Sequence, residues 1–187
     1  MSRPRYISVV VLVITTITCI LGHASLPAFD ARDIRITEAR RLLAGAAQSM
    51  DQAEQMYDRL DEAGEGDAMW LGYKAMAEFL ISRHSYNPIT KMSRFNSART
   101  TLEKAIVLAP KSVELRFLRF TIQNALPGIL GYQMNLHEDR DLLMRYVTAL
   151  QPEKGDEELF ANIKECLLNS GQVSGAVKER VREARFR

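Results

Sequence analysis

Four residues in one stretch constrain this chain more than any other feature. Ala98, Leu102, Ala105 and Pro110 follow one another at steps of four, three and five positions. The first two steps keep Ala98, Leu102 and Ala105 on one face of a helix, because residues three and four apart are neighbours there. The two alanines let a second helix approach closely, and the leucine fills the gap between helix pairs. Proline then ends the helix, since it lacks the N–H that would continue the hydrogen-bond ladder. A segment built this way is a helix with one face shaped to pack closely against a neighbouring helix.

The rest of the chain repeats the theme more loosely. Ala53, Tyr57 and Leu60 keep the small–large–apolar spacing, with Glu65 where proline belongs. Arg140, Met144, Val147 and Pro152 keep it with arginine at the small position, and Gly171 with Ala176 reproduces a turn and an early small residue. Leu71-Gly72 supplies a leucine–glycine step in the helix preceding Ala98. This combination resembles the tetratricopeptide repeat. Successive units start 45, 42 and 36 residues apart here, against a family period of ~34 residues, so the resemblance is to an expanded array. It implies an all-α fold, a right-handed array of about four antiparallel helix pairs forming an α-α superhelix.

Local signals place those pairs. Helices are expected over Ile34–Ala47 with Met50–Ala63, Asp67–Arg83 with Phe95–Ala109, Val113–Ala125 with Leu136–Leu150, and Asp156–Asn169 with Val173–Phe186. Ser49 with Gln52, and Asn135 with Glu138, have capping-box spacing, and Asp139 adds an acid to a first turn, where the helix dipole favours it. Gly64, Gly66, Pro110, Pro152 and Gly155 punctuate the pattern. Alternating runs typical of strands are missing beyond the N-terminal segment.

That segment calls for separate treatment. Arg3 and Arg5 precede an uncharged run from Ile7 to Leu21, and Gly22-His23-Ala24 offers the small residues of a cleavage site. A membrane-spanning helix needs ~20 apolar residues, and this run is shorter, so residues 1–24 are expected to be a cleavable signal peptide leaving Ser25 first. Retention as an anchor is the competing reading, because no formal charge stands between Tyr6 and Phe29, and lipidation at Cys19 is disfavoured by its lead-in. The expected address is therefore export, to a bacterial periplasm or cell surface, without a stable membrane span after cleavage.

Removing two arginines leaves 23 basic and 23 acidic residues in 25–187. This balance argues against a nucleic-acid partner. Cys166 alone remains, so no intrachain disulfide is expected.

A closer resemblance rests on His84-Ser85-Tyr86-Asn87-Pro88 with Phe95-Asn96, on Glu114-Leu115-Arg116-Phe117-Leu118-Arg119-Phe120, and on Pro127 with Leu130-Gly131-Tyr132. Over about residues 67–150 these are similar to a family of exported bacterial tetratricopeptide-like proteins of uncharacterised role. The resemblance implies a helical fold and an envelope address. It supplies no catalytic residues.

Two connections exceed what a helix pair needs, about 84–94 and 126–135. Long connections often carry function; the alternative is that they pack together through Tyr86, Ile89, Ile129 and Tyr132. Arg116, Arg119 and Gln123 share one helix face, where arginine can clamp a carboxylate or phosphate with two hydrogen bonds. The competing role is a structural pairing with Glu103, Glu114 or Asp139. Charge is unevenly spread, with eight bases and two acids from Arg83 to Arg119, and seven acids and one arginine from Asp51 to Asp67. His84 and His137 lack the neighbours that general-base or metal chemistry requires. Trp70, Tyr73, Met76 and Phe79 fall at helical spacing and read as core, as does Cys166.

These readings lead to a binding module for a protein or peptide partner in the cell envelope, an acidic one suiting the basic stretch. No catalytic, metal or cofactor site is expected. The candidate binding residues are His84, Asn87, Lys91, Arg116, Arg119, Gln123 and Tyr132. The alternatives are a small-ligand binder or enzyme using a pocket between the 84–94 and 126–135 segments, lined by His84, Asn87, Arg119, Gln123 and Tyr132, and a purely structural envelope protein.

Overall fold

The computed structural model describes residues 31–61, 66–150 and 155–186. The expected signal segment, Gly64, Glu65 and Pro152 lie outside them. Among the described residues the chain is all-α, with eight α-helices and no strand. In order these are α1 (Ala31–Ala46), α2 (Met50–Asp61), α3 (Ala68–His84), α4 (Pro88–Leu108), α5 (Val113–Ala125), α6 (Leu136–Thr148), α7 (Glu157–Asn169) and α8 (Gly175–Glu183). A 3₁₀ turn, Gly128–Leu130, lies between α5 and α6. Arg35–Arg187 form one compact unit; of the unit Met1–Ile34 only the first turn of α1 is described.

Helices from α2 onward pack mainly on their chain neighbours, most extensively α3 on α4, and also one element further on: α3 on α5, α5 on α7, and α6 on α8. Of the residues in the repeat-like pattern some are buried at these contacts, whereas Tyr57, Arg140 and Met144 are half-buried and Gly171 and Ala176 are exposed. Ala98, Leu102 and Ala105 lie in the core with Ala53 and Leu60. Gly72 explains the close approach of α3 to α5, because a Cβ there would stand 2.2 Å from Leu115 Cδ2.

The core has two parts that meet at α5. Leu115, Leu118 and Ile122 belong to a cluster built from α1 to α5, whereas Phe120 belongs to one built with α6, α7 and α8. An amphipathic helix solvated on one side presents a single apolar stripe. α5 presents apolar residues to both sides, as a helix sandwiched between neighbours must.

The largest departure from expectation is α4, which begins at Pro88, seven residues before Phe95. Asn87 is the reason. Its side chain accepts hydrogen bonds from the N–H groups of Ile89 (2.9 Å) and Thr90 (3.3 Å), and Pro88 follows at the first helical position, where its missing N–H costs nothing. The expected 84–94 loop thus shrinks to Ser85–Asn87 between α3 and α4. Tyr86 and Ile89, the anticipated buried contacts, are exposed, while Tyr132 is buried. The 126–135 connection does remain outside the α-helices.

Smaller features vary. The N–H of Gln52 donates to Ser49 Oγ at 3.3 Å, which is one half of a capping box. Asn135 makes no side-chain cap; its amide donates to Glu138 instead, at 3.4 Å. Trp70 is only partly buried and donates its indole N–H to the Leu60 carbonyl at 2.8 Å.

Candidate binding site

A cavity of about 570 Å³ opens between three pieces of chain. One wall is the last turn of α3, where Phe79, Ser82 and Arg83 share a helix face. The second is the first two turns of α4, with Lys91, Met92 and Phe95. The third is the exit of α5, namely Ala125, Leu126 and Pro127, with Leu130 from the 3₁₀ turn.

Local chemistry holds these walls apart and in register. Ser82 Oγ donates to the Lys91 carbonyl at 2.8 Å and ties the end of α3 to the start of α4. On the other side the Leu126 N–H donates to the Gln123 carbonyl, and the Leu126 carbonyl accepts from Gln133 Nε2 at 3.2 Å. The Leu130 N–H donates to the Pro127 carbonyl. Gly131 then turns the chain with φ of 64°, a left-handed conformation that glycine adopts without strain.

Phe95 is a wall with a backing. Its ring meets Tyr132 edge-on, 6.2 Å between centroids, and the Arg99 guanidinium lies over the Tyr132 ring at 5.1 Å. Tyr132 Oη donates to Glu103 Oε1 at 2.7 Å, and Arg119 Nη1 donates to Glu103 Oε2 at 2.9 Å. Arg119 also forms a two-pronged pair with the fully buried Asp139, through Nε (2.7 Å) and Nη2 (3.0 Å). Arg116 bonds Asp139 and Glu138. Burial is the strongest single influence and opposes the Arg119 charge, but the hydrogen bonds to Asp139 together with the Asp139 and Glu103 charges leave its pKa above the ordinary value. Burial, and then the Glu103 bond, push the Tyr132 phenol well above its usual range.

The structure places the candidate residues in five different settings. Lys91 lines the cavity. Arg116, Arg119 and Tyr132 form the polar network behind it, and Asn87 caps α4 at its mouth. His84 Nε2 pairs with the Ala46 carbonyl at 3.2 Å, joining α3 to α1. Gln123 is fully buried, and neither amide atom has a hydrogen-bond partner. The arginine pairing with Glu103 and Asp139 matches the structural alternative for that stripe. A pocket does lie between the two connecting segments, but His84, Asn87, Arg119, Gln123 and Tyr132 do not line it.

Sequence reasoning missed most of the lining. Helical spacing makes Phe79 a core residue, and Arg83 stands out in the sequence only as part of a basic stretch. Arg83 and Lys91 are the lining's two charged residues, both exposed, and neither side chain has an ion-pair partner among the described residues. No acid lines the cavity. Exposed Ile89 stands one turn before Met92 on α4, with exposed Tyr86 just ahead of the cap.

A second buried polar cluster links α1, α3 and α5. Arg40 makes a two-pronged pair with Glu114 at 2.7 Å for each bond, and Tyr73 Oη donates to the same carboxylate. Burial raises the Tyr73 phenol, and the Glu114 charge raises it further. The three side chains pair with one another, with Arg40 still partly open to solvent. Among the described residues no group of His, Cys, Asp and Glu is arranged to hold a metal ion, and no helix is long and apolar enough to cross a membrane.

No family model matches the chain, and no curated protein or solved structure matches it either.

Proposed function

We propose that the chain is an exported, tetratricopeptide-like binding module that takes its partner at the cavity between α3, α4 and the 125–130 segment. The observation that supports this is the composition of the cavity: mostly apolar walls, two cations without ion-pair partners among the described residues, and no acid in the described lining. Apolar pockets with a few placed polar groups are the usual form of a recognition site, and ~300–1,000 Å³ is their usual size. Ser82, the hydroxyl of the lining, is engaged with the Lys91 carbonyl.

The repeat-like sequence favours a protein or peptide partner in the cell envelope, inserting an apolar side chain next to an acidic one. Exposed Tyr86, Ile89 and Met92 extend the apolar surface along the start of α4 for such a segment. The second reading, a small ligand, is favoured by the volume of the cavity.

Ala125 tests the site, because it lines the cavity yet is exposed, so a larger residue fills the opening without overpacking the core. Capture from an envelope fraction is expected to succeed with the unmodified chain and to fail with Ala125→Trp. An unchanged captured set would place recognition elsewhere.

A further inference from the structure

We infer that the cavity takes a single-chain anionic amphiphile: a fatty carboxylate, with its tail between Phe79, Met92, Phe95 and Leu126 and its head at Arg83 and Lys91. The inference rests on the cavity being the recognition site and takes the small-ligand occupant.

Three observations carry it. The walls are apolar while both charged groups are cations that lack acidic partners among the described residues. This asymmetry matches a molecule with one uncharged and one negative end. The polar groups of the walls are largely committed to one another: Ser82 Oγ to the Lys91 carbonyl, both backbone groups of Leu126, the Pro127 carbonyl and the Leu130 N–H. A peptide that filled the cavity beyond a single inserted side chain would bring backbone N–H and C=O groups that need partners when buried. A hydrocarbon chain brings none. Finally, about 570 Å³ is ample for one medium-length acyl chain.

The test is calorimetric titration of the full chain with octanoate, decanoate and dodecanoate, each below its micelle-forming concentration, beside decanol and decyltrimethylammonium. Affinity is expected to rise about fourfold per methylene. Decanoate is expected to bind about tenfold more tightly than decanol through its charge-assisted bonds. The cationic amphiphile should bind weakest. Replacing both cations (Arg83→Gln with Lys91→Gln) should lower decanoate to the affinity of decanol and leave decanol unchanged. Ala125→Trp, with its fold checked by thermal melting, should abolish binding of all three.

Equal affinity for decanoate and decanol would overturn the anionic head while sparing the cavity as a recognition site. Undiminished binding to Ala125→Trp would place the amphiphile elsewhere and overturn the inference. Absence of binding by every amphiphile would also overturn it. If Ala125→Trp then still loses its captured envelope protein, the cavity stands with a protein segment as occupant.

Discussion

Tyr132 and Glu103 are joined by a 2.7 Å hydrogen bond from phenol to carboxylate, and this bond connects the cavity wall to the ionic interior of the fold. Tyr132 supports Phe95, and Glu103 passes the connection to Arg119 and thence to Asp139. Removing the arginine leaves the fully buried Asp139 without solvent to replace its bonds, while Glu103 keeps access to water. Arg119→Ala is therefore expected to destabilise the chain by ~3 kcal/mol, near the lower end for buried pairs because Arg116 still reaches Asp139. Tyr132→Phe removes a single bond and should cost about 1 kcal/mol. Chemical denaturation of both variants measures the difference; equal losses would contradict this ordering.

Asn87 makes a more local prediction. Its two cap bonds define where α4 starts, and α4's first two turns form one cavity wall. Asn87→Ala should lower stability by ~1 kcal/mol. Hydrogen exchange should quicken at Ile89 and Thr90, whose N–H groups lose their acceptor, and should be unchanged in α7. Asn87→Asp should retain the cap.

Gly72 sits where α3 crosses α5. A Cβ there would meet the end of the Leu115 side chain, and Leu115 is itself fully buried with little freedom to move. Gly72→Val is expected to cost ~1–3 kcal/mol by overpacking. In a Leu115→Ala background the same change should cost much less, so a double-mutant cycle separates contact from helix propensity. Additive losses would show that the two residues do not compete for space.

Tyr73, Tyr132 and Tyr146 share a pH signature. Burial is the foremost cause raising each phenol, with Glu114, Glu103 and Asp156 respectively adding to it. The native state then keeps protons that an unfolded tyrosine releases near pH ~10. Above that pH the unfolded chain binds fewer protons, so stability falls as pH rises; below it these groups contribute in full. Ultraviolet titration should show these three phenols ionising only with unfolding, and Tyr132→Phe should remove one of them. Ionisation of all three near pH ~10 in a folded chain would contradict their burial.

Much of the fold was legible because it is written in spacing. Ala98, Leu102 and Ala105 mark a helix face that must be covered, whereas the crossing at Gly72 shows only once Leu115 is placed against it. The start of α4 was not legible, because His84-Ser85-Tyr86-Asn87-Pro88 contains residues that break helices as readily as they begin them. Only the direction of the Asn87 side chain decides which. The candidate site was legible in outline as two segments far apart in the chain that meet. Its lining was not, since a cavity is the space that packing leaves. Arg119 and Gln123 looked available for a ligand because residue type reports a capacity to bond and leaves open which partner uses it. Glu103 and Asp139 take up that capacity for Arg119. For Gln123 no bond accounts for the buried amide.

Placement of a photoreactive side chain decides where recognition occurs. Position 92 lines the cavity, and position 107 is on the same helix, equally open to solvent or more so, ~22 Å further along. Irradiation of the chain in an envelope preparation is predicted to give a discrete adduct from a crosslinker at Met92 and none from one at Val107. Adducts of equal yield at both positions, or only at 107, would contradict a recognition site at the cavity.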